Sequence, residues 1–218
     1  MISYNTYLPY GYSSASDTVY NQYLVQAESS RLPLNLDEVK EYLRIDPCDK
    51  SQDNQLQLMI MAVAEYAQLY MNRILLETEF LTYRNGFPPC ISLRKSPFIN
   101  LINFEYVSNG VVTEVDPSIY QITNSNDYVK IILLPNNQWP MTDCQQQSVI
   151  IRFTAGYGTK EKDIPSALRI AMLSHVASLD SNRGDCDCGA AEAALPPTTK
   201  KVYEMYKVKN ITGFEPCI

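Results

Sequence analysis

The stretch that decides the fold is residues 35–46, which read NLDEVKEYLRID. Asn35 can cap a helix, and Glu38 three residues later completes the spacing of a capping box. A helix from Leu36 to Arg44 is therefore predicted, with an inner face formed by Leu36, Val39 and Leu43 and with Tyr42 as a further candidate for that face. Asp46-Pro47 ends this helix, because a residue before proline is pushed out of helical dihedral angles.

A second and longer helix is predicted from Ser51 or Asp53 to about Asn72. Apolar residues recur at spacings of three and four and form one buried stripe: Leu56, Met59, Ile60, Val63, Ala67 and Tyr70. Further apolar residues widen that stripe beyond one face: Leu58, Met61, Ala62 and Tyr66. A helix that is apolar on two sides needs two neighbours, and in a small domain the second neighbour can be another subunit.

Between Thr78 and Thr154 the helical period gives way to short β-type runs. Asn109-Gly110 is a hairpin signal, since both residues tolerate positive φ angles. The runs predict a small antiparallel sheet with strands near residues 79–83, 91–93, 101–107, 111–115, 120–122, 128–134 and 148–153.

Helical periodicity returns after Asp163, where Ile164-Pro165 places a proline at the start of a third helix. A last short helix is predicted within residues 198–209. The predicted fold class is α+β: a bundle of about four helices with an inserted antiparallel β-sheet and extended terminal arms. The predicted division is an arm over 1–33, a helical bundle over 34–77 and 160–209, a β subdomain over 78–159, and a tail over 210–218.

The first 33 residues are polar and rich in tyrosine, with no helical or strand period. They predict either an arm that orders on a partner or a strap over the chain's own core. The tyrosines that would contact a partner are Tyr4, Tyr7, Tyr10, Tyr12, Tyr20 and Tyr23.

The bulk composition disfavours dedicated nucleic-acid binding and membrane insertion. The formal net charge of the 218-residue chain is -6, whereas phosphate binders carry a basic surplus. No apolar run approaches the roughly 20 residues that span a bilayer. Residues 1–12 lack the features of a signal peptide, so we expect the six cysteines to be free thiols.

No catalytic, cofactor or metal site is predicted, and we expect the chain not to be an enzyme. His175 is the one histidine and lies in an apolar helix, which favours a hydrogen-bonded core or interface position over a general base. Cys186-Asp187-Cys188, even with Cys217, lacks the spacing of a zinc site. Gly156 to Lys160 lacks the phosphate-loop register, and Asp46, Asp49 and Asp53 lack the glycine and glutamate of a calcium loop.

Several segments, in order, resemble the head–tail connector proteins of tailed bacteriophages. They cover roughly residues 34–209. The segments are residues 36–46, Tyr70 to Leu75, Glu79 to Phe87, Ile91 to Phe98, Asp116 to Tyr120, Gln138-Trp139-Pro140, Val149 to Gly158, Ile164 to Arg183, and Leu195 to Lys207. The terminal arms and the Cys186 loop depart from the family, as does Val176, where the family often has an aromatic residue after its helix histidine.

The resemblance implies a structural virion protein in the neck between capsid and tail, made in the host cytoplasm. It implies a homo-oligomeric ring of about a dozen copies below the portal, since homo-oligomers usually close by symmetry. Its partners would be the portal protein, tail or neck proteins, and double-stranded DNA passing through the lumen without sequence-specific binding. The implied portal-contact residues are Lys200, Lys201, Tyr203, Met205, Tyr206 and Lys207. Core closure by Val202 and Tyr206 is the alternative for that helix, and a neck or tail-completion ring away from the portal is the alternative for the whole chain.

Overall fold

The structure is a computed structural model that describes residues 23–124, 127–182 and 195–208. Four α-helices lie in this part of the chain: α1 (Leu36–Leu43), α2 (Asp53–Met71), α3 (Ser166–Ser181) and α4 (Pro197–Tyr206). They accompany antiparallel sheets, which confirms the predicted α+β class. No helix in the described residues is both long and apolar enough to cross a membrane.

Helix α1 begins as the sequence predicts, with one difference in its cap. The Asn35 side chain accepts a hydrogen bond from the amide of Asp37 at 3.0 Å. The Glu38 carboxylate, however, accepts a bond from the Arg169 guanidinium of α3 at 2.5 Å. This side chain thus ties α1 to α3, a contact that local sequence cannot show.

Within the described ranges, eight strands form two antiparallel sheets where one sheet was predicted. They are β1 (Tyr23–Glu28), β2 (Thr78–Arg84), β3 (Cys90–Leu93), β4 (Phe98–Ser108), β5 (Val111–Glu114), β6 (Tyr120–Asn124), β7 (Val129–Leu133) and β8 (Val149–Ala155). The larger sheet has the order β1-β2-β8-β4-β5 and the smaller one β3-β7-β6. Short 3₁₀ turns at Pro117–Ile119 and Glu161–Asp163 precede β6 and α3.

The predicted Asn109-Gly110 turn joins β4 to β5, with φ angles of 52° and 75°. The Asp143 carboxylate accepts hydrogen bonds from the amides of both turn residues, at 2.7 and 2.8 Å. The turn is therefore held from outside as well as by its own conformational preference.

Strand β1 lies within the range predicted as an arm, and the structure places it at the edge of the larger sheet. It pairs antiparallel with β2, with Tyr23 opposite Thr82 and Glu28 opposite Thr78. At least this part of the segment is a strap on the chain's own core. Residues 1–22 lie outside the described residues.

The helices and the sheets, which we call the two layers of the fold, each have a separate hydrophobic core. One core is built from α1 to α4 and includes Leu56, Ile60, Leu168 and Tyr203. The other lies between the sheets and includes Phe104, Ile131, Ile151 and Phe153.

Gly156 makes the close join between the two layers. Its φ is 138°, its amide donates to the Pro97 carbonyl at 2.7 Å, and a Cβ at this position would lie 2.6 Å from the Leu76 carbonyl. Only glycine fits this approach of one backbone to another.

Candidate assembly surfaces

Arg73, just after α2, joins the end of α4 to both neighbouring loops. Its Nε donates to the Tyr206 carbonyl, one terminal nitrogen to Ser96 Oγ at 2.9 Å, and the other to the Asp127 carboxylate at 2.8 Å. The amide of Val208 donates to the Met71 carbonyl at 2.9 Å. The C-terminal end of α4 is therefore fixed to α2, and substitutions on its outer face can be made without releasing it.

Tyr203, predicted as a portal contact, is fully buried. Its hydroxyl lies 3.4 Å from Nδ1 of His175, and its ring centroid lies 6.1 Å from that of Tyr70. Burial raises the pKa of the Tyr203 hydroxyl. Residues four apart share one face of a helix, so Thr199 and Tyr203 both face α3, and the Tyr203 side chain is not available on the outer face of α4.

The other predicted residues of α4 lie on or near its outer face. Lys200, Lys201 and Lys207 are exposed, and Met205 is 81% exposed. The Lys207 ammonium lies 4.8 Å from the centroid of the Tyr70 ring, so its position is partly fixed by a cation–π contact. An apolar side chain among lysines is a suitable anchor for another protein.

Met205 and the half-buried Tyr206 also line a cleft of about 450 Å³ between α4 and the sheets. Its other walls include Arg73, Phe98 and Tyr157. Burial raises the pKa of the Tyr157 hydroxyl above its ordinary value. The residues that line the cleft are mainly aromatic or apolar, and Met205 among them is exposed.

Tyr23 is the one predicted arm tyrosine in the described residues, and it packs within its own chain. Its ring stands edge-on to Phe80 and Phe153, with centroid distances of 6.4 and 6.0 Å, and its hydroxyl accepts from the Arg94 amide at 2.9 Å. The Lys95 ammonium lies over the same ring at 5.6 Å. Tyr4, Tyr7, Tyr10, Tyr12 and Tyr20 lie outside the described residues.

Helix α2 is apolar on two sides, as its sequence predicts. Leu56, Ile60, Val63 and Ala67 are buried against the bundle. Leu58, Met61 and Leu69 are 66%, 55% and 55% exposed, and Ala62 is exposed beside them. We call the set Leu58, Met61, Ala62 and Leu69 the α2 outer stripe.

The residues considered for chemistry are structural where they are described. His175 is fully buried, with the ring of Tyr66 edge-on at 5.3 Å. The loop that carries Asp46, Asp49 and Asp53 is closed by an ammonium of the chain itself: Lys40 Nζ lies 2.5 Å from the Asp53 carboxylate and 2.8 Å from the Asp49 carbonyl. Sequence reasoning missed this lysine, which is only 2% exposed although it lies in an amphipathic helix.

The described residues hold no group of three or more histidine, cysteine or acidic side chains able to bind a metal. Their cysteines, Cys48, Cys90 and Cys144, are free thiols. Cys186, Cys188 and Cys217 lie outside the described residues.

Comparison with known proteins gives one family and one fold. Residues 33–102 match the family described as phage gp6-like head-tail connector protein. This range contains α1, α2 and the first strands after them, and the match confirms the resemblance read from the sequence over that range. The matched family is described as one of connector proteins and not of enzymes, which agrees with the expectation that the chain is not an enzyme. No curated protein matches the chain.

The solved structures that share the fold include three from gene transfer agent (GTA) particles. A chain in the neck of the empty particle, computed with C6 symmetry, aligns with a TM-score of 0.71 and 18% identity, covering 89% of this chain and 100% of that one. A chain of the native virion gives 0.71 and 18%, covering 89% and 99%. A chain in the native neck, computed with C12 symmetry, gives 0.64 and 19%, covering 88% and 100%. Residues 33–102 therefore carry the pattern of the phage gp6-like head-tail connector family, and the chain shares its fold with chains in the neck of gene transfer agent particles.

Proposed function

We propose that the protein is a head–tail connector subunit that forms a ring under the portal of a phage-like particle, extends its DNA channel and offers a platform for the tail. The observation that carries this proposal is the neck-protein fold, which covers 89% of this chain and the full length of the matched neck chain. The match of residues 33–102 to the connector family supports it independently. The neck structures were computed with C6 and C12 symmetry, which supports a closed ring of about a dozen copies.

The proposed mechanism is passive. The chain carries a formal net charge of -6, so a ring of identical copies bears a strong surplus of negative charge. A lumen lined by acidic groups repels phosphate and lets DNA slide through without sequence-specific binding. An electron cryomicroscopy map of the ring tests this, and a lumen lined mainly by lysine and arginine would contradict it.

The outer face of α4 is the proposed contact with the portal. Met205 supplies an apolar anchor with Tyr206 next to it, and Lys200, Lys201 and Lys207 supply a basic rim. Tyr4, Tyr7, Tyr10, Tyr12 and Tyr20 stay candidates for contact with a partner protein. Assembly would begin in the host cytoplasm and end with the protein in the neck of the virion.

Deletion of α4 is a poor test of this contact, because Tyr203 and Val208 belong to the buried core. The sharper test is the double variant Lys201→Glu/Met205→Ser, with Lys162→Glu as a control at an exposed lysine of the Glu161–Asp163 turn. Loss of an anchor and reversal of a rim charge should weaken co-sedimentation with portal rings tenfold or more. The control should bind like the unaltered protein.

Unchanged binding of the double variant would place the portal contact elsewhere on the chain. Recovery of the unaltered protein with tail components but without portal would favour the alternative, a neck or tail-completion ring that does not touch the portal.

A further inference from the structure

In the described part of the chain, the side chains of the α2 outer stripe are exposed and lie outside the hydrophobic core of the bundle. At 3.6 residues per turn, Leu58, Ala62 and Leu69 lie roughly half a turn around the helix axis from the buried Leu56 and Ala67. Polar residues such as Gln55 and Gln57 occupy exposed positions on the same helix, so an apolar surface is not imposed by helix formation. The exposed leucines and methionine need another explanation.

One charge interrupts the stripe. Glu65 is exposed and lies one turn from Met61 and Ala62 and one turn from Leu69. A carboxylate there helps to keep the free chain in solution, because it divides the apolar surface into two parts. When another surface covers the stripe, the Glu65 carboxylate would either stay hydrated or form an ion pair with a cationic group, as charged groups do at the rim of an interface.

We propose that a second copy of this chain packs against the α2 outer stripe, and that this contact holds neighbouring subunits in the ring. The inference rests on the proposed function, since a closed ring gives every copy two neighbours through a head-to-tail contact that need not be self-complementary. The stripe runs about 16 Å along the helix from residue 58 to residue 69. A stable interface of ordinary size buries about 800 Å² per partner, so a stripe of this length would form only its apolar centre, and other residues would complete it.

A second copy fits this face better than the portal does. Helix α4, the proposed portal contact, packs on α2 at Tyr70 and Met71, through the Tyr203 ring and the Val208 amide. These two residues lie on the bundle side of α2, turned away from the stripe. A partner seated on α4 therefore leaves the stripe free for a neighbour in the same ring.

The test compares Leu58→Ser/Leu69→Ser with Gln57→Ser, which alters an exposed polar position on the same helix. Each change at the stripe is expected to raise the concentration for half-association by roughly tenfold or more, because a buried leucine side chain is lost. Mass photometry with and without portal rings measures association. Circular dichroism should match the unaltered protein for both variants, since all three side chains are exposed.

A photo-cross-linking residue at position 69, with one at position 57 as its control, identifies what covers the stripe. The proposal expects a ladder of multiples of 24.8 kDa from position 69 only. Rings that form equally well from the Leu58→Ser/Leu69→Ser variant would overturn the inference and leave the proposed function standing. Cross-links confined to residues 1–22 of the same chain would also overturn it. Absence of rings from the unaltered protein, with or without portal, would instead defeat the proposed function.

Discussion

Replacing Lys40 by methionine should destabilise the bundle far more than its place in a short surface helix suggests. The side chain of Lys40 is 3% exposed, and its ammonium is shared by the Asp53 carboxylate at 2.5 Å, the Asp49 carbonyl at 2.8 Å and the Pro47 carbonyl at 3.4 Å. It thereby fixes the loop between α1 and α2. Methionine keeps much of the apolar stem but leaves the carboxylate without its cation.

The size of the effect depends on which favourable interactions the Asp53 carboxylate retains when Lys40 is absent. Removing one partner of a buried ion pair costs about 3–5 kcal/mol. Asp53 is 24% exposed and lies at the first residue of α2, where the helix dipole favours a carboxylate by about 0.3–1 kcal/mol. Subtracting the dipole contribution leaves about 2–4.7 kcal/mol, and water that reaches the partly exposed carboxylate lowers the expected loss in the free energy of unfolding to about 2–3 kcal/mol. For a chain of this size that lowers Tm by about 4–12 °C.

Urea unfolding followed by circular dichroism measures this loss, with Lys50→Met as the control. Lys50 lies on the same loop and is exposed, so its replacement should stay within about 0.5 kcal/mol of the unaltered protein. The double variant Lys40→Met/Asp53→Asn closes a thermodynamic cycle, and the coupling should exceed about 1 kcal/mol. A Lys40→Met variant as stable as Lys50→Met would refute the idea that a buried ammonium holds the loop.

Three further predictions concern single substitutions outside the Lys40 loop. Gly156→Ala should lower the free energy of unfolding by at least about 3 kcal/mol, because a Cβ would lie 2.6 Å from the Leu76 carbonyl. Gly110→Ala is the control and should lower it by about 1 kcal/mol, because the space around Gly110 is open; equal losses in urea unfolding would contradict this prediction. Arg73→Lys keeps the positive charge, but a lysine cannot donate hydrogen bonds in three divergent directions, so the free energy of unfolding should fall by about 1–3 kcal/mol in urea unfolding. An unaltered unfolding midpoint would argue against the role of Arg73 in joining α4 to the neighbouring loops. Burial lowers the pKa of Lys95 in the folded protein. Below that lowered pKa the folded state carries the full free-energy penalty of the buried charge, and the penalty is lost as the pH rises past 10.5, the ordinary pKa of lysine. Lys95→Met should therefore be more stable than the unaltered protein at pH 7 and lose that advantage towards pH 10.5; an advantage that does not change with pH would show that charge is not its cause.

The parts of the fold that the sequence predicts are those with local causes. Helices α1 and α2 follow from apolar spacing and from the Asn35 cap, and the turn between β4 and β5 follows from Asn109-Gly110. Strand β1 was missed because its partner, β2, lies some fifty residues away in the chain and four of its six side chains are exposed. An edge strand with so little burial shows no alternation of apolar and polar residues.

The residues of α4 show a different limit. The spacing of Val202, Tyr203, Met205 and Tyr206 admits more than one inward face, and the choice depends on what lies opposite. The hydroxyl of Tyr203 finds Nδ1 of His175, 28 positions earlier in the chain. The one lone histidine in an apolar helix was a signal that some polar group must face it, because buried polar atoms are nearly always hydrogen-bonded. Sequence alone could not name that group.

The placement of the two candidate surfaces bears on how such a subunit could work. If α4 contacts the portal and the α2 outer stripe contacts the next copy, then the contacts within the ring and the contacts between the ring and the portal use different sides of α2. Arg73 joins the end of α4 to the end of α2 and to the loops beside the sheets, so the two surfaces keep a fixed relative position. A rigid subunit of this kind pays little entropy when the second contact forms, because the first has already oriented it. Ring closure and portal docking should therefore reinforce each other, and the Leu58→Ser/Leu69→Ser variant should bind portal more weakly than the unaltered protein although its α4 face is intact.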